Sequence, residues 1–187
     1  MSQSLTLEEL NQVLADADLL KTKAEVEAAY VKLAQEITAE LAKEMPVVFS
    51  VMNGALVMAG HLLPMLRFPL EQGYMHATRY RGEVVGQADL QWQALPSVGI
   101  EGRTVLILDD IFDEGHTLAA VVRACEAQGA KKVYTAALVN KVHDRKTNEL
   151  KMDFVGMDVI DRYVFGCGMD YRGYWRNLPE IYAVKGL

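Results

Sequence analysis

The residues best equipped for chemistry lie together in TVLILDDIFDEGHTLA, residues 104–119. Asp109 and Asp110 are adjacent, Asp113 follows, and its turn runs on through Glu114, Gly115, His116 and Thr117. Residues 105–108 read as a buried apolar strand, and the sequence beyond the turn reads as a helix start. That order leaves several backbone N–H groups unpaired where the positive end of the peptide dipoles lies, and an anion fits there. A phosphate is the natural guest. Gly115 permits a positive φ or a close backbone approach at the tightest point, and Thr117 can offer a hydroxyl to a phosphate oxygen. Asp109, Asp110 and Asp113 crowd beyond the strand end, where carboxylates repel unless a ribose diol or a magnesium ion lies between them. The plainer alternative is a strand followed by a solvated acidic turn.

These groups need elements to hold them. Pro46 ends a helix, residues 47–52 form a β-rich run, and Asn53-Gly54 turns into an apolar helical stretch over 55–66. This is a second strand, turn and helix, again with N–H groups at a helix start. Residues 70–78 predict a strand, with 84–92 as its partner across Arg79-Tyr80-Arg81-Gly82-Glu83. After the acidic turn, a helix over 118–128 closes at Gly129 and a strand follows over 132–139. Strand, helix and strand at this spacing make a right-handed parallel crossover. Lys141 falls just past that strand, 145–151 is a polar loop, and 152–155 and 159–166 are apolar again. Residues 4–44 predict two helices, with Thr6 and Glu9, then Thr22 and Glu25, at capping-box spacing. Behind the second cap, Val26, Ala29, Tyr30, Leu33, Ile37 and Leu41 form one apolar stripe.

The chain has 187 residues, 51% apolar and 24% charged, which suits a single domain over 1–187, with N-terminal helices in 1–45 and a core in 46–187. Its formal charge is −6, and residues 1–45 hold nine acids against four lysines. That balance disfavours nucleic acid and anionic membrane surfaces. Two cysteines, Cys125 and Cys167, make no disulfide framework, and the absence of a signal or membrane-spanning run completes the expectation of a cytoplasmic protein.

VLILDDIFDEGHTL resembles the phosphoribosyl pyrophosphate (PRPP) signature of type I phosphoribosyltransferases: four apolar residues, two acids, two apolar residues, then Asp-X-Gly-X-Thr. Within that family, Met52-Asn53-Gly54 is similar to the pyrophosphate loop of the hypoxanthine-guanine branch, and DFVGMDVIDRYVFGCGMDYRGYWRNLPEIYAV is similar to its base-binding segment. The resemblance implies an α/β fold: a mostly parallel sheet flanked by helices, with a flexible catalytic hairpin loop and a small base-binding hood. It implies transfer of 5-phosphoribose from PRPP to N9 of a 6-oxopurine, hypoxanthine or guanine, with pyrophosphate released and Mg2+ as cofactor. Asp109 and Asp110 would take the ribose hydroxyls and, with Asp170, magnesium. Residues 113–117 would hold the 5'-phosphate, with the Glu114 side chain turned outward. Met52, Asn53, Gly54 and Arg176 would take pyrophosphate, the first three through a cis peptide and backbone groups. Lys141 would donate to the 6-oxo group, Tyr163 would stack on the purine and Val164 would offer its main chain to the base edge. Asp113 would handle the N7 proton, and Tyr80 would ride on the hairpin that closes over the centre. A homodimer or homotetramer is the implied assembly. A xanthine- or adenine-preferring transferase and a non-catalytic PRPP-binding regulator are the rival readings.

Overall fold

The computed structural model describes residues 5–79, 90–94 and 96–187. Helix α1 (Leu7–Asp16) and helix α2 (Lys23–Leu41) start at the two expected capping boxes. Thr6 Oγ1 accepts the Glu9 N–H at 3.2 Å while the Glu9 carboxylate accepts the Thr6 N–H at 2.7 Å; Thr22 and Glu25 do the same at 3.3 and 2.8 Å. Between them lies strand β1 (Asp18–Lys21), which the sequence reading did not foresee. Its burial does not alternate, so no period marks it.

The chain then runs through β2 (Val47–Val51), α3 (Ala55–Leu62), β3 (Glu71–Arg79), β4 (Leu90–Ala94), β5 (Thr104–Phe112), α4 (His116–Ala127), β6 (Lys132–Val142), β7 (Phe154–Ile160), β8 (Val164–Phe165) and β9 (Ile181–Ala183). Six strands form one sheet in the order β4-β3-β2-β5-β6-β7, and all neighbours are parallel except β3 with β4. A small antiparallel sheet, β1-β9-β8, forms the hood. The expected partner of the 70–78 strand is present as β4, antiparallel to β3, and residues 80–89 of that hairpin lie outside the described residues.

Two strands run beyond the end the sequence reading gave them, for one reason. β5 continues past residue 108 to Phe112, and β6 continues past 139 to Val142, because neighbouring backbones keep pairing beyond the apolar run: Phe112 opposite Asn140, and Val142 opposite Ile160. Asp109, Asp110 and Lys141 therefore sit inside strands, on a pleat that alternates their direction.

Helices cover both faces of the large sheet. Leu33, Ile37 and Leu41 of α2 and Met58 and Leu62 of α3 pack on Val48, Leu106, Leu108 and Leu138. On the other face, Leu118, Val121 and Cys125 of α4 meet Val47, Phe49, Val105 and Ile107. The hood residues Val164, Cys167, Ile181 and Ala183 join the first cluster, so the hood is fixed to the sheet by shared apolar burial. Leu33 is 0% exposed; cutting it to alanine would cost about 2–5 kcal/mol.

Candidate active site

The carboxyl ends of β2, β5 and β6 and the hood enclose a cleft of about 690 Å³. Its lining includes every expected site residue within the described chain: Met52, Asn53, Gly54, Asp109, Asp110, the run from Asp113 to Thr117, Lys141, Tyr163, Val164, Asp170 and Arg176. Tyr80 lies outside the described residues.

The acidic turn is built as an anion cradle. Gly115 has φ 84°, and α4 begins at the next residue with no side-chain cap. A Cβ on Gly115 would also run into the Phe112 ring. The first helical bond is Ala119 N–H to Gly115 O at 2.9 Å, which leaves the N–H groups of His116, Thr117 and Leu118 without helical acceptors. The preceding peptides are tied from behind. Lys146 Nζ donates to Phe112 O and Asp113 O, both at 3.0 Å, and Thr147 N–H donates to Glu114 O at 2.8 Å. Carbonyl and N–H point opposite ways across a trans peptide, so anchoring those carbonyls turns the N–H groups of Asp113, Glu114 and Gly115 the other way. The Glu114 carboxylate is exposed, 3.9 Å from His116 Nε2.

Asp110 is 7% exposed and packs against the second turn. Its carboxyl occupies the space that a Cβ on Gly54 would take, and Gly168 closes on Gly54 O from the hood side. The Met52–Asn53 peptide is cis. Asp110 Oδ1 accepts the Ile111 N–H at 3.0 Å and Asp109 Oδ1 accepts the Asp110 N–H at 3.1 Å. Burial, then the neighbouring Asp110 charge, pushes the Asp109 carboxyl well above its ordinary range. Burial also raises Asp110, against the pull of the bond with Asp109 and of the Arg176 charge. Arg176 Nη1 lies 3.9 Å from Asp110 Oδ2, donates to Gly168 O at 2.5 Å, and its Nη2 pairs with Asp170 at 2.6 Å.

Asp113 is set differently. Lys141 Nζ donates to Oδ2 at 2.7 Å, and His143 Nε2 lies 2.6 Å from Oδ1. Burial alone would raise its pKa, but the two hydrogen bonds outweigh that and hold the carboxyl below its ordinary value. Above the cleft, Tyr163 is 42% exposed and meets Tyr171 edge-on at 5.8 Å. Val164 is buried and pairs with Ala183.

Sequence reasoning missed His76, which lines the cleft from β3, and His143 and Lys146 behind the cradle. The available signal was spacing: His143 follows Lys141 by two, so an extended strand puts both on one face.

Residues 16–172 match the phosphoribosyl transferase domain. The chain belongs to the phosphoribosyltransferase family. It is 32% identical over 167 residues to a hypoxanthine-guanine phosphoribosyltransferase of Bacillus subtilis, covering 89% of this chain and 92% of that one. It is 28% identical over 185 residues to a hypoxanthine-guanine-xanthine phosphoribosyltransferase of Tritrichomonas foetus, covering 99% and 97%. Among solved structures, a hypoxanthine-guanine-xanthine phosphoribosyltransferase superposes with a TM-score of 0.82 at 27% identity, over 91% of this chain and 99% of the other. A hypoxanthine-guanine phosphoribosyltransferase from Bacillus anthracis gives 0.83 at 25% identity, over 89% and 98%. The expected phosphoribosyltransferase sheet and its flanking helices are thus present.

Proposed function

We propose that this phosphoribosyltransferase moves 5-phosphoribose from PRPP to N9 of a 6-oxopurine, giving IMP or GMP and pyrophosphate, as a purine-salvage step. The observation that carries the reading is Asp113, ionised and gripped by Lys141, standing between a phosphate cradle and the exposed Tyr163 ring in one cleft. The cradle N–H groups and the Thr117 hydroxyl take the 5'-phosphate. Asp109 and Asp110 accept from the ribose hydroxyls, and the Gly54 turn and Arg176 take the pyrophosphate through N–H groups and a planar fork. The base stacks on Tyr163 and meets the main chain of Val164. Lys141 keeps hydrogens beyond the one on Asp113 for the 6-oxo oxygen, and as a donor only it cannot satisfy an adenine amino group.

In the transfer, N9 bonds to ribose C1 as the bond from C1 to the pyrophosphate oxygen breaks, its electron pair leaving on pyrophosphate. The N7 proton passes to an Asp113 oxygen. Placement and electrostatics lower most of the barrier. Tyr80, outside the described residues, is assigned to excluding water from the reacting centre.

Asp109, Asp110 and Asp170 offer hard oxygen ligands, and a cation would relieve the Asp109 carboxyl, which burial and the neighbouring Asp110 charge push up, so the three fit Mg2+. When bound, the ion would neutralise charge developing on pyrophosphate. We extend the reading to one folding unit over 1–187, a homo-oligomer, and a cytoplasmic setting that suits two free, buried cysteines.

The test is nucleotide formation from labelled PRPP with hypoxanthine, guanine, xanthine and adenine. Turnover with hypoxanthine or guanine is expected. Turnover confined to xanthine or adenine would replace the base assignment, and none with any base would leave a PRPP-binding regulator.

A further inference from the structure

Behind Asp113 stands a histidine that the transfer chemistry leaves unused. His143 follows β6 directly, its side chain only 3% exposed, with Nε2 2.6 Å from Asp113 Oδ1. Its other ring nitrogen accepts the Arg145 backbone N–H at 3.1 Å. A backbone N–H can only donate, so Nδ1 is the bare nitrogen and Nε2 carries the hydrogen. The ring is thereby fixed as a neutral donor aimed at Oδ1. Lys141 holds Oδ2 at 2.7 Å, so both carboxylate oxygens are gripped from the β6 side.

Arg145 is itself fixed. Its guanidinium forks onto Asp161, in the turn between β7 and β8, at 2.7 and 2.9 Å. Asp113, His143 and Asp161 each bring a ligand atom within 4.8 Å of the others. Lys141 and Arg145 already neutralise both carboxylates, which makes the cluster a hydrogen-bond chain rather than a cation site. Lys146 also acts on Asp113, with its Nζ on backbone carbonyls, and the adjacent Glu114 carboxylate is exposed beside His116.

We propose that His143 is a positioning residue for Asp113: it sets the carboxylate plane so that a free lone pair faces N7 of the bound base, and it never takes the proton. The proposal rests on the transfer reading, in which Asp113 receives the N7 proton. A relay through His143 would need an open lone pair, and its one bare nitrogen is occupied by the Arg145 N–H.

The test compares His143→Leu and His143→Gln with the wild type in kcat, KM for PRPP, pH profile and Tm. His143→Leu should lower kcat about tenfold or more and leave KM within about twofold. It should also move the acid limb of kcat to higher pH, because a donor that favours the charged carboxylate is gone. Gln can place an amide nitrogen where Nε2 stood and should keep kcat within about threefold. Nitrogen NMR of the wild type at neutral pH should show the Nε2–H tautomer. Wild-type kcat in His143→Leu overturns the proposal. So does a folded His143→Gln as impaired as the leucine variant, or an imidazolium signal. Should His143→Leu not fold, His143→Gln and the NMR tautomer still decide. A wild type that forms no nucleotide overturns the transfer reading instead, and the tautomer then tests the fixed ring by itself.

Discussion

Asp109 and Asp113 lie within one short stretch yet are held in opposite ways. Asp109, beside buried Asp110, faces burial and a like charge, and its carboxyl is pushed up. Asp113 is half-exposed with two donors on it, and its carboxyl is held down. Environments that separate the pKa values of neighbouring carboxyls assign them different work. The first pair is a receptacle completed by a ligand's hydroxyls or a cation. The second is an acceptor set before any ligand arrives.

The contrast breaks most sharply at Asp113. Asp113→Asn should cut kcat by on the order of 10²-fold or more with PRPP affinity little changed, the range for general acid–base groups; steady-state kinetics with hypoxanthine and guanine check it. Gly54→Ala should strike the receptacle, since the new methyl meets the Asp110 carboxyl. About 1–3 kcal/mol of stability should go, as overpacking costs, with a rise in KM for pyrophosphate in the reverse reaction; thermal unfolding and reverse kinetics read both. Lys146→Met should free the carbonyls of Phe112 and Asp113. KM for PRPP should then rise about tenfold, the equivalent of about 1.4 kcal/mol, with kcat nearly kept.

Asp109→Asn should lower turnover and yet raise Tm at neutral pH, by roughly 2–4 °C, the shift that about 1 kcal/mol makes in a chain this long. The sign follows from linkage. A carboxyl raised in the folded state binds more protons there than in the unfolded chain, so stability falls as pH climbs from the ordinary value of 3.8 through the raised one. Asp113 works oppositely: its stabilisation is present above 3.8 and is lost as pH falls through its lowered value.

Both turns were legible in the sequence because each joins an apolar run to a helix through glycine, and the capping hydroxyls at Thr6 and Thr22 marked both N-terminal helices. The strand ends were not. Polar residues such as Asp109 and Asn140 stop an apolar run, but backbone pairing with a neighbour continues through them. Ending β6 early put Lys141 in a loop, which hid that the extended backbone running through it brings His143, two residues on, to the same carboxylate. Strand β1 was invisible because its pairing with β9 spans most of the chain and leaves no local period.

A crystal structure with IMP or GMP tests the assignment of the acidic turn most directly. The 5'-phosphate should lie on the N–H groups of residues 113–117, with purine N7 within hydrogen-bond reach of Asp113. A nucleotide bound with its phosphate elsewhere, or with N7 remote from Asp113, would contradict it.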